Sequence, residues 1–285
     1  MNNLLKQLAV SFLLLNCMKS IAAITPYSQD FESMSPGTAD GQFGYSSELS
    51  DDGWRVSGNV FDGTDPFPGN YLYFYGQFFP APNGVGGFSS VSSGDMTIDN
   101  GSQYLSVYND YNNSQAHMQG QAVNAFFMQE FALDANDIGT TLTLSFDAKR
   151  PEAIDDGFGG DQSFAVNNNC SNTCIAQAYI QTLDPSNNYN TTNRVVVDTT
   201  EISQDEWSSY TMTLELTDPQ LIGQILHLGF ENLATNFDNT TVYYDNISFS
   251  TSAAPLPPCA VPLPAGIYLF LSGLVGLGLM RGRNV

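Results

Sequence analysis

The chain has 285 residues, 42% of them hydrophobic and 12% aromatic, so it is long enough to bury one large core. It carries 29 acidic against 8 basic residues, a formal charge of −21, which excludes the electrostatics of nucleic-acid binding and of adhesion to anionic lipid. Its two histidines, His117 and His227, stand far in sequence from the cysteines, which argues against zinc, whereas abundant carboxylates suit a hard cation such as calcium.

The first 23 residues, "MNNLLKQLAVSFLLLNCMKSIAA", hold Lys6, the apolar run Leu8 to Leu15 and then small residues at Ser20, Ala22 and Ala23. That layout predicts a secretory signal peptide over 1–23. Cys17 follows Leu-Leu-Asn, and Asn16 is a poor residue at a lipoprotein cleavage site.

The body, 24–250, reads as short strands punctuated by Gly, Asn, Asp and Ser. Strands are expected in "GWRVSGNVF", "NYLYFYGQF", "QYLSVYND", "NAFFMQEFAL", "TLTLSFDAK", "IAQAYIQTL", "RVVVDT", "WSSYTMTLEL", "QILHLGFENL" and "TVYYDNISFS". Alternation assigns faces: Leu142, Leu144 and Phe146 point one way and Thr141, Thr143 and Ser145 the other, as do Met212, Leu214 and Leu216 against Thr211, Thr213 and Glu215. The stretches 63–101 and 151–172 read as long loops. "TDPQLIGQIL" allows one or two helical turns, capped by Thr217 or Asp218 with Pro219 in the first turn. About ten short strands without a long helix predict an all-β, antiparallel sandwich or barrel.

Three cysteines follow the signal peptide. Cys170 and Cys174 in "CSNTC" are placed to pair in an oxidising compartment, and Cys259 is left over. Trp54 and Trp207 read as inward anchors and His227 as a satisfied strand residue. "NYLYFYGQFF" sets Tyr71, Tyr73 and Tyr75 on one face and Leu72 and Phe74 on the other, so one of those faces is expected to be core. Tyr104 and Tyr108 lie in a second aromatic patch rich in Asn. Tyr73, Tyr75, Tyr104 and Tyr108 are therefore the candidate sugar-stacking face, with core packing as the competing role. The sequence contains no Gly-x-Ser-x-Gly elbow, phosphate loop or metalloprotease helix. A carboxylate-pair hydrolase is the enzymatic alternative, since a glycosidase needs only two acids.

"STSAAPLPPCA" ends the body, and 251–260 has linker composition. The apolar run 265–280 then covers 16 residues, about 24 Å as a helix, short of a hydrocarbon core of about 30 Å. Arg281 and Arg283 at its end would leave the C-terminus cytoplasmic and the body outside. The last 25 residues, "VPLPAGIYLFLSGLVGLGLMRGRNV", resemble a PEP-CTERM sorting signal. Val261, Pro262, Pro264 and Ala265 match its box, then comes the membrane run, then Arg281 and Arg283; Leu263 stands where the family's name records a glutamate. The resemblance implies a substrate of an exosortase-type processing enzyme in a Gram-negative envelope. Such a chain is held transiently in the inner membrane and then passed to the cell surface or an exopolysaccharide matrix.

The order of "YSQDFESM", "TLTLSFDAK", "EWSSYTMTLEL" and "VYYDNISFS" is similar to the galactose-binding-like jelly rolls, which include many carbohydrate-binding modules. This resemblance implies a jelly-roll β-sandwich whose first and last strands meet. It also implies a structural calcium at that junction, with Asp30, Glu32 and Asp245 as its oxygen ligands. The combined expectation is a secreted, non-enzymatic sandwich with a carbohydrate-binding or purely structural coat role.

Overall fold

The computed structural model describes residues 24–35, 48–78, 89–94, 97–99, 101–108, 120–151, 174–235 and 241–253. The signal peptide, Tyr111, His117, Cys170, Cys259 and the sorting box lie outside these residues. The chain divides into two units, Met1–Ser252 and Ala253–Val285, and the sandwich belongs to the first. Among the described residues no helix is long and apolar enough to cross a membrane, and the run 265–280 is not among them.

Twelve strands are described: β1 (Tyr27–Gln29), β2 (Arg55–Phe61), β3 (Tyr71–Phe78), β4 (Ser89–Ser93), β5 (Gln103–Tyr108), β6 (Ala122–Ala132), β7 (Thr140–Lys149), β8 (Cys174–Asp184), β9 (Asn190–Asp198), β10 (Ser208–Leu216), β11 (Ile225–Thr235) and β12 (Thr241–Ala253). Ten of them fall on the strands expected from alternation. The three-residue β1 is too short to show a period, and β4 lies inside a stretch whose Gly, Pro and Ser content reads as loop. A single helical turn spans Glu48–Asp51. The expected turn at Pro219 is a 3-10 helix, Pro219–Leu221, and the Asp218 carboxylate caps it by accepting from the Gln220 N–H.

The strands form two antiparallel sheets. Sheet A has the order β10-β7-β12-β5-β4, with β1 also paired to β12, and sheet B the order β3-β2-β6-β11-β8-β9. The first and last strands thus meet, Tyr27 opposite Phe249 and Gln29 opposite Ile247. Each sheet turns one residue parity inward. Sheet A contributes Leu142, Leu144, Phe146, Met212, Leu214, Val242 and Tyr244 to the core, and sheet B contributes Val56, Val60, Val123, Phe127, Ala176, Ile180, Leu228 and Phe230.

Aromatic rings join the two layers. Phe230 of β11 stacks on Tyr244 of β12 with centroids 3.7 Å apart, and Phe146 of β7 meets both edge-on. Trp54 stacks on Phe127 at 4.5 Å and donates its indole N–H to the Tyr27 hydroxyl at 2.8 Å, which ties β1 to sheet B. The Tyr27 hydroxyl in turn bonds the Asp52 carboxylate. Asn232, fully buried, spans the layers by donating to the Val107 carbonyl at 2.8 Å. The inward reading of Trp54 therefore matches its place in the core.

One expectation about faces fails. Tyr71, Leu72, Tyr73 and Phe74 are exposed at 57, 42, 44 and 55%, so neither face of this segment is core. The reason is position: β3 is the edge of sheet B, and two register shifts against β2 lift it out of regular alternation.

Replacing Phe230 by Ala removes the ring both layers share. We expect a loss of ~3–5 kcal/mol, read as a lowered midpoint in urea denaturation; a midpoint within error of wild type would contradict this account of the core.

Candidate functional site: an outward polar network and a strand junction

The outward face of sheet B is unusually polar for its degree of burial. Register places three rows across β6, β11, β8 and β9. The first is Phe126, Glu231, Gln177 and Asp198; the second Met128, Gly229, Tyr179 and Val196; the third Glu130, His227, Gln181 and Arg194. These residues have the opposite parity to the core residues of the same strands, so they face away from sheet A.

Arg194 organises the rows. Starting on the edge strand β9, its guanidinium lies over the Tyr179 ring at 5.0 Å and donates to Gln181 Oε1 and Glu231 Oε1. Gly229 has no side chain, which keeps the middle row low next to Tyr179. A methyl group at Gly229 would collide with the Phe127 carbonyl, so the strand approach itself requires glycine. Glu231, with 5% of its side chain exposed, also accepts from Gln177 Nε2, and from Asn124 Nδ2 at 3.4 Å. Phe126 meets the Tyr179 ring edge-on at 5.8 Å.

Two buried polar atoms in this network, Asn124 Oδ1 and the Tyr179 hydroxyl, have no hydrogen-bond partner. Burial and the Glu231 charge push the Tyr179 phenol well above its usual range, so it stays a neutral donor. Leaving such groups unpaired costs free energy.

His227 bonds Glu130 Oε2 through Nε2 at 2.9 Å, which is the satisfied strand residue expected of it. Burial pulls its pKa down, with the Glu130 hydrogen bond opposing.

A second cluster lies where β1, β5 and β12 meet. Phe31, buried with φ of 59°, turns the chain after β1. The next residue, Glu32, then reaches back to β5, where its Oε1 accepts from the Ser102 and Gln103 N–H groups at 2.6 and 2.7 Å. Gln103 Nε2 donates to the Glu32 carbonyl at 2.8 Å. Gly101 sits within an oxygen cradle: a Cβ there would come within 2.5 Å of Glu32 Oε1, 2.7 Å of Thr97 Oγ1 and 3.2 Å of Asp99 Oδ1.

Asp245 of β12, 1% exposed, completes the junction, and its Oδ1 has no hydrogen-bond partner; neither has the buried Gln103 Oε1. Burial, with Asp99 and Asp147 nearby, pushes the Asp245 carboxyl up to about 7. A buried carboxylate and an orphan amide oxygen are the donor types that calcium takes.

The sequence-derived residues divide between these places. Glu32 and Asp245 belong to the junction, whereas Asp30, its Oδ1 accepting the Glu32 N–H at 3.2 Å, caps an exposed turn. Among the described residues no group of three or more His, Cys, Asp and Glu side chains is placed to hold a metal, so a cation here would depend on mixed donors.

The four tyrosines do not form one face. Tyr73 is on the exposed edge of sheet B; the side chain of Tyr75 is not among those described; Tyr104 and Tyr108 are each 5% exposed on sheet A. Tyr104 packs against Tyr243 and Trp207 at 4.4 and 5.7 Å. Trp207 therefore packs on sheet A outside the central core cluster. Cys174 is disulfide-bonded at the start of β8, and Cys170 lies outside the described residues.

Among solved structures the chain is similar to a cyclase, Fisc, from Fischerella sp. TAU. The identity is 16%, the TM-score 0.42, and the match covers 81% of this chain and 100% of that one. It is also similar to a xylan-binding domain from Paenibacillus barcinonensis, at 9% identity and TM-score 0.37, over 82 and 99% of the two chains. A third likeness is to the enzymatically active domain of tailspike protein 4 from bacteriophage CBA120, at 11% identity and TM-score 0.38. It covers 76% of this chain but only 21% of that one, so this chain spans about a fifth of its length. No family model matches the sequence, and no curated protein matches it. These likenesses concern the arrangement of the sheets, so only side-chain geometry bears on function.

The Asp245 carboxyl gives a test of the junction. Its folded pKa of about 7 lies above the unfolded 3.8, so protonation favours the folded state. Its contribution is complete below about pH 4 and is lost as pH rises through 7. In chelator, Asp245→Asn should therefore stabilise the protein at pH 8 relative to wild type and leave it unchanged near pH 3.5. Thermal melts across that range check this, and parallel curves for the two proteins would count against a carboxyl at Asp245 raised by burial.

Proposed function

We propose that the folded body binds carbohydrate on the outward face of sheet B. The observation that carries this reading is the polar network around Glu231, which Arg194, its side chain 30% exposed, presents at the surface of the sheet. A sugar presents hydroxyls that donate and accept in alternation, and amides, a carboxylate and a guanidinium answer both kinds. At the β3 end of the same sheet, Tyr71 and Phe74 expose rings on which the apolar face of a sugar can stack.

Glu231 is placed as an acceptor rather than as half of a catalytic pair with Glu130. Glu130 and Glu231 share this face, but Glu130 stands opposite His227, four residues along β11 from Glu231. That is ~13 Å at about 3.4 Å per residue, beyond the ~5–9.5 Å that separates the carboxyl pairs of glycosidases. Glu231 is also held by Arg194 as an acceptor. A coat protein without a sugar ligand is the competing role.

In the same reading the signal peptide exports the chain and the C-terminal box, Val261, Pro262, Leu263, Pro264 and Ala265 with Arg281 and Arg283, commits it to an exosortase-type enzyme. The destination is the envelope or exopolysaccharide matrix of a Gram-negative cell. A structural calcium would be held at the strand junction by Asp245 and Gln103, beside Glu32, neutralising the crowded carboxylates there.

Glu231→Gln should weaken retention on matrix polysaccharide by roughly tenfold to a hundredfold, the worth of a charged hydrogen bond, measured well below a melting temperature that the loss of the Arg194 ion pair will lower. Affinity electrophoresis in polysaccharide gels reads this; a chain retained by no matrix glycan would favour the coat role. Removing calcium with a chelator should lower the melting temperature, because a ligand present at a hundredfold of its Kd adds ~2.7 kcal/mol. An unchanged melt would remove calcium from the junction.

A further inference from the structure

The outward face of sheet A is built differently from that of sheet B. Its exposed parity is mostly hydroxyl. Ser28 of β1 stands opposite Ser248 of β12, and Ser145 of β7 opposite Thr211 of β10. The adjacent pair on β7 and β10 is Thr143 and Thr213. Neighbouring strands lie about 4.8 Å apart and same-face residues about 6.8 Å apart along a strand, so these hydroxyls form a short two-dimensional array.

The array is concave. A groove of about 330 Å³ is lined by Ser28, Thr143, Ser145, Ser248 and Ser250 together with Pro26, Tyr27 and Phe249. That volume lies in the lower range of ligand sites. Ser145 shares a hydrogen bond of 3.0 Å with Thr211. The hydroxyls of Ser28, Thr143, Ser248 and Ser250 make no hydrogen bond to another described residue. They present donors and acceptors to the groove.

Charge narrows the occupant. The chain's net charge is −21, yet none of the groove's lining residues is ionisable at neutral pH. The acids on the strands of this face, Asp147 of β7, Glu215 of β10 and Asp245 of β12, lie outside the groove lining; Asp147 is held by Ser209 and Asn246, and Asp245 is buried. An anionic chain would meet the protein's own field, and a cation would find no carboxylate in the groove. A neutral ligand that both donates and accepts meets neither obstacle.

We propose that this groove on sheet A is a second binding site, for a neutral polysaccharide chain, distinct from the network on sheet B. It needs no contribution from Glu231, Arg194 or Tyr179, so either site can fail without the other.

The test is affinity electrophoresis of the full chain in gels containing mixed-linkage β-glucan, xylan or galactomannan, with polygalacturonate as the anionic comparison. Ser248→Tyr fills the groove and Ser248→Asp charges it; Ser28→Asp does the same from the exposed edge strand, where folding is least at risk. The expected result is that each variant loses at least tenfold in affinity for one neutral polysaccharide. Polygalacturonate should not retard any form. Retention of full affinity by Ser28→Asp and by a Ser248 variant that melts like wild type would overturn the proposal. So would no retardation of wild type by any neutral polysaccharide.

Discussion

The stack of Phe230 on Tyr244 fixes more than the distance between the layers. Side chains in a strand alternate, so turning Phe230 inward turns its neighbour Glu231 outward, into the network on sheet B. Turning Tyr244 inward likewise sets Asp245 on the opposite face of sheet A, at the junction with β1 and β5. Both polar centres of the sandwich are thus one residue from the rings that hold it together. Displacing either ring would move a carboxylate that the protein has buried at considerable cost.

Strand β12 shows how that constraint is reconciled with closure of the fold. Its first half pairs with β5, Tyr244 opposite Leu105, and its second half pairs with β1, Ile247 opposite Gln29. Tyr244 and Ile247 both face the core although they are three residues apart, which regular alternation forbids. Asn246, in the left-handed region with φ of 49°, supplies the extra residue. The bulge is the place where Asp245 is sealed, the chain passes from one partner strand to another, and Asn246 donates to Asp147 at 2.9 Å. Closure and the acidic junction are therefore one feature.

Alternation made most of the strands legible, because hydrophobic burial acts on every second residue and leaves its mark locally. Strand order is not local. Gln177, Arg194 and Glu231 come together only because β11 and β9 flank β8, and nothing in the spacing of these residues announces it. One signal was available. Arg194 is one of only four basic residues between 24 and 260, and Glu231 is the one acid within the mostly apolar strand "ILHLGFENLA". A rare cation and a strand-centre carboxylate in a chain short of cations are a natural pair. The tyrosines misled for the converse reason: aromatic residues mark strands well but say little about which sheet or edge the strand joins, so Tyr73 and Tyr104 fell on different layers.

The two outward faces also answer a problem of composition. A chain this acidic keeps its surface soluble by charge, yet both outward faces keep uncharged or internally neutralised groups at their centres. On sheet B the negative charge of Glu231 is matched by Arg194 and surrounded by amides. On sheet A hydroxyls line the groove, and the acid of the central strand, Asp245, is buried away from solvent. Scattered surface carboxylates would have served solubility on either face equally well. Excluding them from both centres makes sense if each must come close to something uncharged and rich in hydroxyls.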